Sequence, residues 1–265
     1  MSTAKFGTMI SSETNFRIKL VETPEEMCAA HRLRYRVFVE ELGAETCPAS
    51  YRPSMECDVY DAYSDHLILQ DKSLPHDDNV VGVYRLLRGN NAANGPGFYS
   101  ANEYKLDRIS GCGRKSVELG RSCVDARYRN GVAMHLLWNG LADYVATHDI
   151  EVLFGVASFH GTDPAAISHA LSYLHYNYRA PNDLLATAYG ANAIAMDIIA
   201  EKDTDRVTAL AQIPPLIKSY LRLGGSVGSG AYIDHGFNTI DVCLVMDTAR
   251  MAQKYKAFYL RDSAA

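Results

Sequence analysis

Residues 115–133 place a carboxylate and a guanidinium group directly before a loop that could hold a phosphate. Glu118 and Arg121 lie three residues apart where alternating apolar and polar residues predict a strand, so an ideal strand would send them to opposite faces. If both serve one site, the strand must be bulged, and we expect the bulge at Gly120. A strand that opens beside a phosphate site suits a thioester with a pantetheine arm.

The predicted phosphate loop joins this strand to the helix that follows it. A helix N-terminus offers about four free backbone N–H groups and a partial positive charge, which together make a ready anion site. The residues that we expect to contribute are Arg127, Arg129, Asn130, Gly131 and Ala133.

The strand, loop and helix together resemble the GNAT superfamily of N-acyltransferases. In that family an arginine or glutamine usually lies three residues before the central glycine, and in this chain Tyr128 takes that place. The change favours a donor with a single phosphate, such as the prosthetic group of an acyl carrier protein, over coenzyme A with its pyrophosphate.

Apolar periodicity predicts alternating strands and helices around this segment. The predicted strands are residues 16–21, 66–70, 80–88, 152–159 and 239–246. The predicted helices are residues 24–42, 100–109, 132–145, 164–175 and 214–223. Thr23, Pro24 and Glu26 are typical of the start of a helix, as cap, first residue and capping-box partner. We expect an α/β or α+β fold, with a mixed central sheet flanked by helices and a C-terminal elaboration. A single GNAT-like domain would span 16–247, between tails at 1–15 and 248–265.

A closer resemblance comes from the order and spacing of charged residues along the chain. They are similar to those of the acyl-homoserine-lactone synthases, which have a GNAT-like fold, and still more to those of the bacterial ornithine N-acyltransferases of ornithine-lipid synthesis. The specific phrases are RYRVFVEELG, ELGRSCV, PPLIKSYLRLGG and DHGFNTIDV, within residues 32–246. The single tryptophan, Trp138, lies in the predicted central helix, so the aromatic cluster expected of a lactone synthase near residues 38–45 is absent. This favours the lipid enzyme.

The resemblance implies transfer of a fatty, 3-hydroxylated acyl group from acyl carrier protein to the α-amine of L-ornithine, which gives lyso-ornithine lipid. Aminolysis needs a neutral amine, so a carboxylate must take a proton from the ammonium group. Glu118 is our first candidate for that general base, and Asp58 and Asp61 are the other catalytic candidates, which could instead hold a cationic group. Candidate substrate-binding residues are Arg34, Phe38, Arg85, Arg121, Asp234 and Asn238.

Several alternatives stay open at this point. The acceptor could be glutamine or lysine, or the chain could be an acyl-homoserine-lactone synthase. The alternative without catalysis is a protein that binds lipid or acyl carrier protein.

Composition narrows the remaining classes. A net charge of −5 does not favour a nucleic-acid partner. Cysteines and histidines are scattered, so we expect reduced thiols, no metal site and no permanently bound cofactor. There is no apolar run of about 18 residues and no secretory leader, which predicts a cytoplasmic protein. Basic amphipathic stretches at 213–223 and 249–261 leave peripheral contact with the inner membrane open.

Overall fold

The computed structural model describes residues 15–45, 53–129 and 131–251. The chain divides into two compact units, each built from two pieces of sequence. The first unit is Met1–Pro96 with Leu119–Ile150, and the second is Gly97–Glu118 with Glu151–Ala265. The single domain over 16–247 stays a prediction, and the two predicted tails lie almost entirely outside the described residues.

The strands and helices follow one another in the order that an α+β fold requires. The strands are β1 (Phe16–Leu20), β2 (Asp65–Asp71), β3 (Val80–Arg88), β4 (Tyr104–Lys105), β5 (Ser116–Val124), β6 (Val152–His160), β7 (Thr187–Ala188), β8 (Ala193–Ile194), β9 (Ser226–Val227), β10 (Ala231–Asp234) and β11 (Thr239–Asp247). The α-helices are α1 (Pro24–Arg34), α2 (Gly89–Ala93), α3 (Asp107–Ser110), α4 (Val132–His148), α5 (Ser168–Tyr178), α6 (Arg206–Gln212) and α7 (Pro215–Arg222). None of the described helices is long and apolar enough to cross a membrane.

In the first unit, β1, β2 and β3 form an antiparallel sheet, and the predicted strands over 66–70 and 80–88 pair as a hairpin. Helix α1 begins as predicted, with Pro24 in its first turn and the Thr23 hydroxyl accepting from the Glu26 N–H at 3.3 Å. The Glu26 carboxylate accepts from the N–H of Glu22, one residue before the cap. The start of α1 is therefore fixed from both sides.

The predicted α-helix over 24–42 changes its hydrogen bonding half-way along. After α1 the chain continues as a π-helix over Tyr35–Glu41, in which the Leu42 N–H donates to the Val37 carbonyl at 3.1 Å. Gly43 then ends it with φ +74°, a value that glycine adopts without strain. The predicted length is confirmed, whereas the α-helical geometry beyond Arg34 is wrong. A π-helical turn inside an α-helix is uncommon and is frequently found at functional sites.

In the second unit, β6 lies between the parallel start of β5 and the antiparallel β11, which continues to β10 and β8. One face of these strands carries an apolar core. Its members are Tyr104, Leu106, Ile109, Val152, Phe154, Ala180, Leu184, Ala186, Cys243 and Val245.

The helix predicted over 100–109 is wrong. A 3-10 turn over Tyr99–Asn102 comes first, β4 then pairs with β7, and α3 is a single turn. The physical reason is that Tyr104 and Lys105, in the middle of the segment, pair with Ala188 and Thr187, which are remote in sequence.

Strand β5 passes from one unit into the other. It pairs in parallel with β6 from Ser116 to Glu118, and further along, the Asp125 N–H donates to Val81 in β3. Between these points Arg121 has φ +48°, which is uncommon for a residue other than glycine. The irregularity that the sequence predicts at Gly120 therefore lies one residue later. It turns the strand at the residue whose guanidinium group enters the site described next.

Candidate active site

Six charged side chains of the first unit form a closed ring in which arginines and carboxylates alternate. Arg34 pairs with Glu56 at 2.5 Å and with Asp61 at 2.7 Å. Arg85 pairs with the same Asp61 at 3.1 Å and with Asp58 at 2.6 Å. Arg121 closes the ring on Asp58 at 3.0 Å and on Glu56 at 3.1 Å. We call these six residues the charge ring.

The ring is buried and its formal charges balance. The Arg34 side chain is 0% exposed, and three guanidinium groups face three carboxylates. Isolated charges would be costly in such a place, but shared hydrogen bonds offset much of that cost. Burial would raise the pKa of Glu56, yet the charges of Arg121 and Arg34 lower it overall. Glu56 is therefore ionised at neutral pH.

The three arginines of the ring come from three different structural elements, and the three acids come from one loop. Arg34 ends α1 where the π-helix begins, Arg85 lies in β3, and Arg121 lies at the irregular position of β5. The acids come from the loop before β2, where the Asp58 N–H donates to the Asp61 carboxylate at 2.9 Å. The ring thus joins a helix, a loop and two strands.

Two histidines contact the ring through Asp61. His31 Nε2 lies 3.4 Å from its carboxylate, and His66 Nε2 lies 3.3 Å from its backbone carbonyl. Burial lowers the pKa of His66 to about 4, because the protonated imidazole would be poorly solvated there. Burial would raise the pKa of Asp61, but His31, Arg34 and Arg85 together hold it well below its usual range. His66 is therefore neutral at pH 7 and Asp61 is ionised.

Glu118 belongs to the second unit and has different partners. Its carboxylate accepts from the N–H of Tyr99 at 2.8 Å and from the N–H of Ser100 at 2.6 Å. The side chain therefore caps the 3-10 turn over Tyr99–Asn102, and the residue is buried. The described contacts give Glu118 and Arg121 separate sets of partners, so a role for both in one site stays a prediction.

At the predicted phosphate loop the N-terminus of α4 has no side-chain cap, but Arg127 and Arg129 both pair with carboxylates. Gly131 precedes α4 with φ +99°, and no side chain caps the helix. Arg127 pairs with Asp125 at 2.9 Å, and Arg129 pairs with Glu41. Ala133 is buried in the first turn of α4, and Asn130 lies outside the described residues. An anion could therefore use the helix N-terminus, while both arginines are already held by carboxylates.

Phe38, Asp234 and Asn238 are the remaining predicted substrate residues. Phe38, in the π-helix, packs against the apolar core under β2 and β3. Asp234 accepts from the N–H groups of Gly236 and Phe237, so it stabilises the turn before β11. Asn238 has φ +54° in that same turn. Their roles toward substrate stay predictions.

Sequence reasoning missed Glu56, His31 and His66 as members of the site. A signal for Glu56 existed, because acids recur at residues 56, 58 and 61. His31 lies three residues before Arg34, on the helix face that the apolar spacing already identifies. His66 begins a buried strand and carries no local signal.

Known proteins of similar sequence identify the family of this chain. Residues 33–139 match a family model described as an acetyltransferase (GNAT) domain. The L-ornithine N(alpha)-acyltransferase of Rhodobacter capsulatus is 47% identical over 255 residues, which cover 96% of this chain and 98% of that protein. The chain belongs to the L-ornithine N(alpha)-acyltransferase family. The predicted family is thereby confirmed.

Two solved structures show the fold of this acyltransferase family member. An N-acyl amino acid synthase from uncultured soil microbes matches with a TM-score of 0.51 at 11% identity, over 91% of this chain and 97% of that one. A CoA-dependent acyl-homoserine lactone synthase matches with a TM-score of 0.51 at 14% identity, over 96% and 89%. The predicted GNAT-like α+β fold is confirmed.

Arg34→Gln tests the cost of opening the charge ring. It leaves Glu56 and Asp61 each short of a cation in a buried place, so we expect a loss of about 3–5 kcal/mol in the free energy of unfolding. The matched control is Arg36→Gln, because Arg36 is partly exposed, pairs with Asp78 at 3.2 Å, and lies 3.8 Å from Asp125, which keeps Arg127 as a partner. That change should cost less than about 1 kcal/mol. Urea denaturation measures both, and equal losses would contradict a special role for the ring.

His66 makes stability depend on pH above the range of the carboxylates. The unfolded chain gains a proton on His66 near pH 6.5, whereas the folded chain does so only near pH 4. Stability should therefore fall as pH drops from about 6.5 to 4, by up to about 3 kcal/mol. His66→Asn should flatten this part of the profile, and His76→Asn, in the exposed turn before β3, should not. A profile unchanged by His66→Asn would disprove the assignment.

Proposed function

We propose that this chain transfers an acyl group from a thioester to the α-amine of L-ornithine. The observation that carries the proposal is the 47% identity, over nearly the whole length of both chains, to a protein named L-ornithine N(alpha)-acyltransferase. In the reaction the neutral amine attacks the thioester carbonyl, the new C–N bond forms, and the C–S bond breaks. The amine loses one proton, and the leaving sulfur carries one away as a thiol.

Glu118 is the proposed acceptor of the amine proton. A carboxylate has about four acceptor positions, and Glu118 accepts from the N–H groups of Tyr99 and Ser100. In this proposal the same carboxylate takes a proton from the ammonium group, directly or through a water. The two backbone bonds also fix the carboxylate, which a general base requires.

The charge ring supports a framework role for Asp58 and Asp61 in this proposal. Each of these carboxylates is shared between two arginines, so an ammonium group would have to displace a guanidinium group to bind there. The three arginines are likewise each shared between two acids. Catalysis by Asp58 or Asp61, and substrate binding by the three arginines, remain the alternative to Glu118 in this proposal.

The proposed donor is an acyl group, 3-hydroxylated, on the phosphopantetheine of an acyl carrier protein. Support comes from the uncapped N-terminus of α4, which suits one phosphate. The side chains of Arg127 and Arg129 are about half exposed, at 62% and 42%, so they could face an acidic carrier although they are paired. No permanently bound cofactor is required by this chemistry.

We also propose that the protein is cytoplasmic and makes peripheral contact with the inner membrane. Helix α7 was one candidate for that contact, but its residues Ile217 and Tyr220 are buried. Packing within the second unit accounts for its apolar side. The other candidate, 249–261, lies almost entirely outside the described residues.

The purified chain should acylate free L-ornithine when it is given acyl carrier protein loaded with a 3-hydroxyacyl chain. Product is read by mass spectrometry against a panel that includes glutamine and lysine. We expect ornithine to be the best acceptor and kcat/KM to be higher with the carrier than with the same acyl chain on coenzyme A. Equal kcat/KM for the two donors would reject the carrier. No product with any amino acid would favour the binding protein over the enzyme.

Glu118→Gln separates proton transfer from structural support. Loss of general base catalysis is typically worth about 10²–10⁴-fold in kcat, and it should shrink at high pH, where more amine is already neutral. The amide also turns an N–H group toward the donors of Tyr99 or Ser100, so some stability is lost as well. The control Asn102→Ala loosens the same turn, since its side chain donates to the Tyr99 carbonyl, yet it keeps the carboxylate. A loss in both variants that pH does not alter would exclude Glu118 as the base.

A further inference from the structure

Three carboxylates converge in the second unit at a place that the mechanism above does not use. Glu103, Asp234 and Asp241 each present an oxygen, and these oxygens all lie within 4.8 Å of one another. Glu103 and Asp241 are each only 3% exposed, and Asp234 is half-buried. We call these residues the acid triad. Three acids at this separation repel one another unless a cation lies between them or nearby.

A buried hydroxyl group lies on the same face as the triad. Thr239 precedes Asp241 by two residues in β11, so their side chains share a face, and Thr239 lies directly opposite Asp234 in β10. Thr239 is 8% exposed, and within the described part of the chain its Oγ1 has no hydrogen-bond partner. A buried hydroxyl group without a partner destabilises the fold. Its position beside the acids points to a polar ligand group that completes the set.

The face on which the triad lies is apolar at one end and reached by solvent at the other. Val245 and Cys243 lie in the apolar core, opposite Phe154 and Val156 of β6. Asp241 and Thr239 follow on the same face, opposite Ser158 and His160, which are both exposed. A ligand could therefore reach the triad from the end at which Ser158 and His160 lie.

The arrangement fits a primary ammonium group. An ammonium group has three N–H donors, and with N···O distances of about 2.8 Å its acceptors lie about 4.6 Å apart. A calcium or magnesium ion needs about six or more oxygen ligands. The Asp234 Oδ1 already accepts two backbone N–H bonds, which leaves it less able to serve a metal. Three carboxylates and one hydroxyl group suit the smaller ammonium shell.

We propose that Glu103, Asp234 and Asp241, with the Thr239 hydroxyl group, bind the side-chain ammonium of the diamino-acid acceptor. This inference rests on the proposed function. The two nitrogens of ornithine lie at most about 6 Å apart along five bonds. Glu118 accepts from the N–H of Ser100, and the carbonyl of Ser100 accepts from the N–H of Glu103 at 3.1 Å. The proposed base and the triad are therefore joined through one turn of the second unit.

The proposal also explains why the α-amine would be the one acylated. Nearby carboxylates favour the charged form of an amine, so the triad keeps the side-chain nitrogen as an ammonium group without a lone pair. The α-amine meets one carboxylate, Glu118, which can accept its proton. The α-amine and the side-chain nitrogen thus differ in reactivity, because one carboxylate lies at the first and three lie at the second.

The test compares ornithine with norvaline, which has the same carbon chain and no side-chain amine. Calorimetry gives the dissociation constant of each amino acid, and steady-state assays give kcat/KM. For the wild-type protein we expect tighter binding and higher kcat/KM with ornithine. Glu103→Gln and Asp241→Asn should each lower the ornithine-to-norvaline ratio by about 10–1000-fold, and Thr239→Val by a smaller factor.

Asp247→Asn is the matched control, because Asp247 lies on the same face of β11 but pairs with Arg114 at 2.6 Å. Its ornithine-to-norvaline ratio should equal that of the wild-type protein. Circular dichroism shows which variants fold, and if Asp241→Asn does not fold, Glu103→Gln and Thr239→Val decide. All assays are repeated with EDTA and with added Mg²⁺ or Ca²⁺.

The outcomes separate this inference from the proposed function. Binding of ornithine without any acylation would reject the function but keep the triad, provided that the binding ratio falls in the variants. Acylation of ornithine with an unchanged ratio in the variants would overturn the triad alone. A preference for ornithine that EDTA abolishes would show a metal site instead, and failure of the wild-type protein to prefer ornithine in binding would also overturn the inference.

Discussion

The charge ring is the interaction on which the first unit depends. Arg34, Arg85 and Arg121 come from a helix end and two strands, and the three acids come from one loop. Because each group has two partners of opposite sign, no member can move without leaving a buried charge with half of its compensation. The π-helix begins directly after Arg34, and the irregular residue of β5 is Arg121 itself, so both irregularities lie at arginines of the ring. The π-helix and the positive φ in β5 thus both occur where an arginine must reach the buried carboxylates.

The balance of charge in the ring has a consequence for the chemistry. A ring with three positive and three negative groups offers little net charge to an acceptor that has two ammonium groups and one carboxylate, whereas the second unit has acids that a cation could use. Glu118 accepts from two backbone N–H groups, and the triad brings three carboxylates together on the face that carries a buried hydroxyl group. We therefore propose that the ring supports the fold of the first unit, and that Glu118 and the triad serve proton transfer and acceptor recognition.

Much of the fold could be predicted from local patterns, and the misses have one physical cause. Strands β1, β3 and β11 and helix α4 are long apolar repeats with clear ends, so periodicity identifies them. The π-helix after Arg34 could not be predicted, because seven residues with this apolar spacing fit either helix. Residues 100–109 do not form the predicted helix because Tyr104 and Lys105 pair with a strand about 80 residues later, which no local pattern reveals. The candidate acids and arginines were identified, but not that they neutralise one another, since pairing across 22 to 65 residues depends on the tertiary fold.

A double-mutant cycle between Glu56 and Arg85 tests the closed ring most directly. These residues share no bond in the ring, and removing both leaves the Arg34–Asp61 and Arg121–Asp58 pairs intact and balanced. Unfolding free energies of Glu56→Gln, Arg85→Gln and the double variant are measured by urea denaturation. If the six groups act as one neutral unit, the double variant loses less stability than the sum of the single losses, by at least about 1 kcal/mol. Additivity within about 0.5 kcal/mol would mean that they act as separate pairs, and it would contradict the account.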